Sequence, residues 1–141
     1  QNDRQFFRQR FFHDKARFGR SEVEGVSQID YVNALTIVAV TGDFGFERAV
    51  GVGEYMLDPA KNLAEIAFSV HKDFQGKGLG RILMEKLTRA ARENGITGLM
   101  AYTSPGNQAM INLFNALPYR IKTFYDGDML LLSCRFDEPR G

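Results

Sequence analysis

The stretch "DFQGKGLGRILMEKL", residues 73–87, carries glycine at positions 76, 78 and 80 and runs directly into an amphipathic segment. Glycine loses more backbone freedom on folding than any other residue, so this density calls for a reason. Backbone N–H groups unblocked by side chains, at the start of a helix whose first donors lack intrahelical partners, form a site for an anion. Lys77 and Arg81 add formal positive charge at its rim. Two familiar phosphate patterns do not fit. A P-loop needs Ser or Thr after its lysine, and Lys77 is followed by Gly78; a dinucleotide fingerprint starting at Gly76 would need glycine where Arg81 stands. By composition alone, an ordinary strand-to-helix turn needing positive φ remains the competing reading.

A second chemical candidate lies just upstream. Alternation in "LAEIAFSV" (63–70) puts Glu65, Ala67 and Ser69 on one face of a strand and Ile66, Phe68 and Val70 on the other. A carboxylate inside so apolar a strand has a partner or a task, unless it simply faces solvent at the strand end. Glu54, in "GVGEY", is a second carboxylate in a similar setting. His13, His71 and Cys134 have no metal-ligand spacing around them, so no metal is expected.

Elements able to position these groups follow from periodicity. Among the first twenty residues, Phe7 and Phe11 are four apart, as are Arg4 and Arg8, which predicts a helix with a phenylalanine stripe behind a basic face. Ser21 with Glu24 three residues on signals the start of a second short helix over 21–29. Strands are expected at 33–42 and 47–57, joined across the Gly42–Gly45 turn, and at 63–70. A helix follows to about Asn94, then a strand at 96–103, a helix at 107–117, and a hairpin over 119–136 turning at Asp126-Gly127. Only the strand–helix–strand step from 63 to 103 demands a parallel pair. The fold expected is therefore α/β, a mixed sheet with helices on its faces.

Length and composition set the frame. The 141 residues make one domain, 44% apolar and 25% charged, with a net charge of +1 that gives no pull toward nucleic acid or anionic membrane. The apolar run "ALTIVAV" falls far short of the roughly 20 residues of a membrane span. One cysteine cannot form an intrachain disulfide, which suits a cytoplasmic setting. The chain begins at Gln1 rather than Met, so a piece of a longer protein is expected.

Gln75-x-x-Gly78-x-Gly80, after a strand and opening a helix, resembles the acyl-CoA-binding signature of the GNAT superfamily of N-acetyltransferases. The order of elements agrees with that fold, with a mostly antiparallel sheet, a splayed parallel pair and helices on both faces. The family's first strand is not visible before Asp3 and is expected to be missing. "GVGEYMLDP", "AEIAFSVHKDFQGKGLG" and "ARENGI" are similar to the acetyltransferase domain attached to acyl-CoA-synthetase-like modules in bacterial protein lysine acetyltransferases.

The resemblance implies acetyl-CoA as co-substrate and an amine acceptor, here a protein lysine. It implies that backbone amides from Gln75 to Arg81 (Gly76, Lys77, Gly78, Leu79 and Gly80 between them) hold the diphosphate. Backbone groups of Phe68, Ser69 and Val70 would pair with the pantetheine arm, the Val70 N–H would polarise the acetyl carbonyl, and Asn107 would contact the pantetheine side. Transfer from a thioester to an amine requires a neutral amine, and lysine titrates near 10.4, so a base must take a proton. The resemblance gives that role to Glu65, with Glu54 as second candidate. Where many members carry a tyrosine as acid for the leaving thiolate, this chain has Phe114; an unassisted thiolate, Tyr102 or water would then serve. The family's Gly-Phe after that helix is Pro118-Tyr119, so Tyr119 is expected in the core. Two alternatives stand beside this reading, a non-catalytic acyl-CoA sensor and an acetyltransferase for small amines.

Overall fold

Seven strands, two α-helices and one 3-10 turn (Lys72–Phe74) are formed by the described residues, 5–11, 33–42 and 48–140 of the computed structural model. The strands are β1 (Gln5–Phe11), β2 (Ala34–Thr41), β3 (Arg48–Asp58), β4 (Leu63–Val70), β5 (Gly98–Thr103), β6 (Lys122–Asp126) and β7 (Met129–Arg135). The helices are α1 (Leu79–Glu93), between β4 and β5, and α2 (Gln108–Asn115), between β5 and β6. All form one sheet in the order β1-β2-β3-β4-β5-β7-β6, antiparallel throughout except for β4 with β5. This is the mixed, mostly antiparallel α/β architecture expected from the sequence; of the helices expected on both faces, the two described ones share a single face.

β1 corrects two expectations at once. Residues 5–11 are not helical, and a first strand is present, paired with β2 from Gln5↔Thr41 to Phe11↔Leu35. The four-residue spacing of Phe7 and Phe11 is shared by a helical face and by one side of a strand, so it never separated the two periods. What decides for strand is the partner, since β2 is apolar along its length and takes seven consecutive pairs. The helix expected over 21–29 lies outside the described residues.

α1 forms because Leu79, Leu83, Met84, Leu87 and Ala91 recur at helical spacing and all are buried. Gly95, at φ 79°, follows its C-terminus, and only a residue at ease in the left-handed region turns the chain there. Both described helices share one core with Leu35, Ile37, Tyr55, Ile66, Leu99 and Leu132, on one face of the sheet. Truncating a fully buried leucine such as Leu83 or Leu87 would cost about 2–5 kcal/mol. The other face carries Thr36, Glu54, Met56, Glu65 and Tyr102, by the alternation and register of β2 to β5. β7, apolar on both faces in sequence, is neither an edge nor a surface strand, because it lies between β5 and β6.

Candidate active site

The parallel pair is short. β4 and β5 meet at Leu63↔Gly98, Ala64↔Leu99 and Glu65↔Met100, and beyond that point they part. On its other side β4 stays paired with β3 as far as Gly51↔Val70. The His71 N–H donates to the Val50 carbonyl at 2.7 Å. Hydrogen-bonded pairs alternate along an antiparallel ladder, so the backbone groups of Ser69 and Ala67 face β3 while those of Phe68 and Val70 face the gap. Two N–H groups therefore point into an open fork with no strand opposite them. The Val70 carbonyl is taken by the Gln75 side chain, whose Nε2 donates to it at 3.0 Å.

The glycine loop closes the mouth of the fork. Gly76 and Gly78 have φ of 77° and 84°, and a Cβ at either would meet nothing within 4 Å, so their first role is conformational and the space beside them is open. Gly78 is the N-cap of α1, with no side-chain cap and no acidic residue in the first turn. The first N–H groups of α1 thus meet no side-chain acceptor, and the helix dipole favours an anion there by about 0.3–1 kcal/mol, more when sheltered. Arg81 contributes a full charge. Phe74 lies between the Arg48 guanidinium, 5.8 Å from its ring centre, and the Lys77 ammonium at 5.7 Å, which fixes the loop's flank. The cleft so formed has a volume of about 600 Å³, and α2 supplies its far wall.

Of the residues expected to hold the cofactor, Phe68, Val70, Gln75, Gly76, Gly78, Gly80, Arg81 and Asn107 line this cleft. Ser69 does not, and its backbone is engaged with β3. The Leu79 side chain is buried in the core and Lys77 rests on Phe74, so each reaches the cleft only through its backbone. Asn107 is a structural pivot: its Oδ1 accepts from the Met110 N–H at 3.1 Å and its Nδ2 donates to Thr103 Oγ1 at 2.8 Å, joining the end of β5 to the start of α2. Glu65 and Glu54 lie elsewhere, on the sheet face opposite the two described helices. Glu65 is exposed at the apex of the fork, in register with Met56 and Met100. Glu54 is partly buried, accepts from Thr36 Oγ1 at 3.5 Å, and is the diagonal neighbour of Glu65.

His71 is occupied by its own turn, with Nδ1 accepting from the Asp73 N–H at 3.1 Å. Phe114 is fully buried and has no proton to give. Tyr119 is buried as expected, packed at a tilt against Phe136, with its hydroxyl accepting a hydrogen bond from Arg92. The inner wall made by α2 was not foreseen. Ala109, Asn112, Leu113 and Ala116 line the cleft, at the spacing i, i+3, i+4, i+7. That second stripe, beside the core stripe of Met110 and Phe114, was the signal available.

Comparison with known proteins agrees with this geometry. The model of the acetyltransferase (GNAT) family matches residues 5–117, and the chain belongs to that family. It is 32% identical over 97 residues to acetyltransferase PA5475 of Pseudomonas aeruginosa, covering 69% of this chain and 52% of that protein. It is 37% identical over 62 residues to the L-amino acid N-acyltransferase MnaT of Escherichia coli, covering 44% of this chain and 36% of that one. The chain thus spans about half or less of the length of the curated relatives it matches. Among solved structures, the GNAT domain of S. lividans PAT superposes with a TM-score of 0.64 at 26% identity, over 90% of this chain and 74% of that one.

The family uses acetyl-CoA as co-substrate. The residues present fit it: open space beside Gly76 and Gly78, uncapped N–H groups at the start of α1, and unpaired strand donors leading inward from them.

Proposed function

We propose that this protein transfers the acetyl group of acetyl-CoA to an amine, and that the acceptor is a protein lysine. The observation that carries this reading is the fork, whose Phe68 and Val70 N–H groups have lost their strand partner beside a loop suited to a diphosphate. Bound there, acetyl-CoA supplies an activated acyl group as a thioester. The loop amides and Arg81 hold the diphosphate at the mouth, and Val70 and Phe68 pair with the arm as it runs back along β4.

This direction of travel shifts one expected role. Val70 adjoins the loop, whereas Phe68 lies about 7 Å deeper along the strand. The Phe68 N–H is therefore the donor that meets the carbonyl oxygen as it gains charge, and Val70 is left to the arm. Glu65 takes the amine proton. It stands three residues, about 10 Å, from Phe68, so the proton passes through water. Glu54, beside it, adds negative charge to the face on which a cationic amine would arrive. With Phe114 in the core, the thiolate leaves unassisted or takes its proton from Tyr102 or water; free thiols already titrate near 8.5.

A lysine acceptor and an attached acyl-CoA-synthetase-like module in the whole protein follow from the resemblance of "GVGEYMLDP" and "AEIAFSVHKDFQGKGLG"; the S. lividans PAT structure is likewise that of a GNAT domain. A cytoplasmic setting suits the single, buried thiol of Cys134. The likeness to MnaT favours a second reading, in which the acceptor is a small amine such as an amino acid.

Thermal unfolding with coenzyme A, ATP or NAD tests the cleft; stabilisation by coenzyme A alone is expected, and none would overturn the whole reading. Acetyl transfer is then measured against lysine peptides, proteins, polyamines and free amino acids. Transfer to lysine side chains supports the proposal. Transfer to small amines alone selects the second reading, and tight binding with no transfer to any acceptor makes the domain a sensor.

A further inference from the structure

The sheet ends in β6, and all five of its residues, Lys122-Thr-Phe-Tyr-Asp126, are exposed. Its inner side is paired with β7, and among the described residues no strand lies on its outer side. The hairpin is closed by Asp126↔Met129 across a two-residue turn with Gly127 at φ 63°. A turn of that length makes its closing pair a hydrogen-bonded one, so Lys122, Phe124 and Asp126 spend their backbone groups on β7. The N–H and C=O of Thr123 and Tyr125 therefore point outward.

Proteins usually blunt such an edge with lysines or other charges, proline, a bulge or a covering loop. Here the charges are opposite and lie at the two ends of the strand, where an antiparallel second copy brings each against the other, with an aromatic residue at the centre. Phe124 is 56% exposed, Tyr125 75% and Met129 39%, so three of the five exposed large apolar side chains among the described residues sit in this one hairpin.

We infer that β6 is the contact between two copies of this chain, paired antiparallel about a two-fold axis through Phe124. Three registers would satisfy the outward backbone groups. Thr123 opposite Thr123 of the second copy sets Lys122 against phenylalanine, and Tyr125 opposite Tyr125 sets Asp126 against phenylalanine. Thr123 opposite Tyr125 sets Lys122 against Asp126 twice, once on each side of the axis, and sets Phe124 against itself. Charge selects that register, and the contact is self-complementary as a two-fold interface must be. Two sheets become one.

Sedimentation of the protein from about 1 to 100 μM, a range that brackets micromolar association, is expected to show a monomer–dimer equilibrium. Asp126→Lys leaves the Lys122–Glu138 ion pair intact but sets lysine against lysine on both sides of the axis, and should weaken the dimer about tenfold or more. Combining it with Lys122→Asp, in a Glu138→Gln background that keeps two carboxylates from facing each other, should restore association. Phe124→Cys should give a disulfide-linked dimer on oxidation, because a non-hydrogen-bonded pair brings Cα atoms to about 4.5 Å and Cys134 is buried. A monomer at every concentration overturns the inference. So does a dimer indifferent to Asp126→Lys, one that the double exchange fails to restore, or a Phe124→Cys protein that does not cross-link.

Discussion

Gln75 holds Val70: the side-chain amide of the first loop residue donates to the carbonyl of the last residue of β4 at 3.0 Å. The bond fixes where the glycine loop begins relative to the open strand, which in the proposed reading sets the diphosphate seat against the donors for the arm. It stabilises by about 1 kcal/mol, as neutral hydrogen bonds do. Gln75→Ala should therefore weaken coenzyme A binding about fivefold, with little change in kcat once the enzyme is saturated. Gln75→Glu should lose more, since a carboxylate cannot donate to Val70 and repels a diphosphate. Calorimetry on both variants measures the difference, and equal affinities for all three proteins would refute the role.

The loop glycines separate into two kinds. Gly78 sits at φ 84°, where an alanine strains the backbone by about 1–2 kcal/mol and redirects the first N–H groups of α1. Gly80 has no such φ, and its Cβ would meet Leu113 at 3.5 Å, an ordinary contact. Gly78→Ala should lower both Tm and coenzyme A affinity. Gly80→Ala should leave Tm nearly unchanged while narrowing the cleft, so affinity falls alone. Thermal unfolding with and without coenzyme A reads both quantities.

Glu65 and Glu54 make competing predictions. If Glu65 relays the amine proton, Glu65→Gln should reduce kcat about a hundredfold near neutral pH and leave coenzyme A affinity unchanged. The deficit should shrink as pH rises toward 10.4, where lysine begins to lose its proton without help. Glu54→Gln removes the charge but keeps an oxygen that can accept from Thr36, and it leaves the relay in place, so it should act mainly on KM for a cationic acceptor. Exchange of the two phenotypes would move the base to Glu54.

How far the sequence disclosed this site depends on the kind of signal. Gly76, Gly78 and the amphipathic α1 were legible because positive φ and helical periodicity are local demands that leave their mark on residue types. Asn107 was found, but as a cofactor contact; its capping of α2 and its bond to Thr103 are equally local to that helix start. The fork was inferred from resemblance alone. Three pairs holding and the rest parting is a matter of strand direction, and no residue between 63 and 70 records it. β1 was misread because Phe7 and Phe11 satisfy both periods, and its strand character comes from β2, more than twenty residues away. Ser69 illustrates the same limit, since alternation gives the face of a side chain but not which neighbour receives its backbone.

Alkaline stability offers a test of the core itself. Burial pushes the Cys134 thiol up from 9.0 to about 11, against a smaller opposing effect from its hydrogen bond with the Leu99 backbone. Burial likewise raises Tyr55 above 10.0, while the hydrogen bond that its hydroxyl accepts from Asn94 at 3.0 Å acts the other way. Both groups keep their protons in the folded chain at a pH where the unfolded chain has released them. Fewer protons on the unfolded state means that stability falls as pH rises, here from about 9 upward, with a limiting slope of about 1.4 kcal/mol per pH unit for each group. Below about pH 7.5 neither contributes a slope. Cys134→Ala should flatten the fall between 9 and 11 at the expense of a small cavity, and Tyr55→Phe should flatten its upper part while removing one acceptor from Asn94. The same burial keeps thiolate scarce, so a thiol reagent at pH 8 should label Cys134 only as the chain unfolds. Rapid labelling of the native protein, or a denaturation midpoint level from pH 8 to 11, would show that β7 is not sealed between β5 and β6.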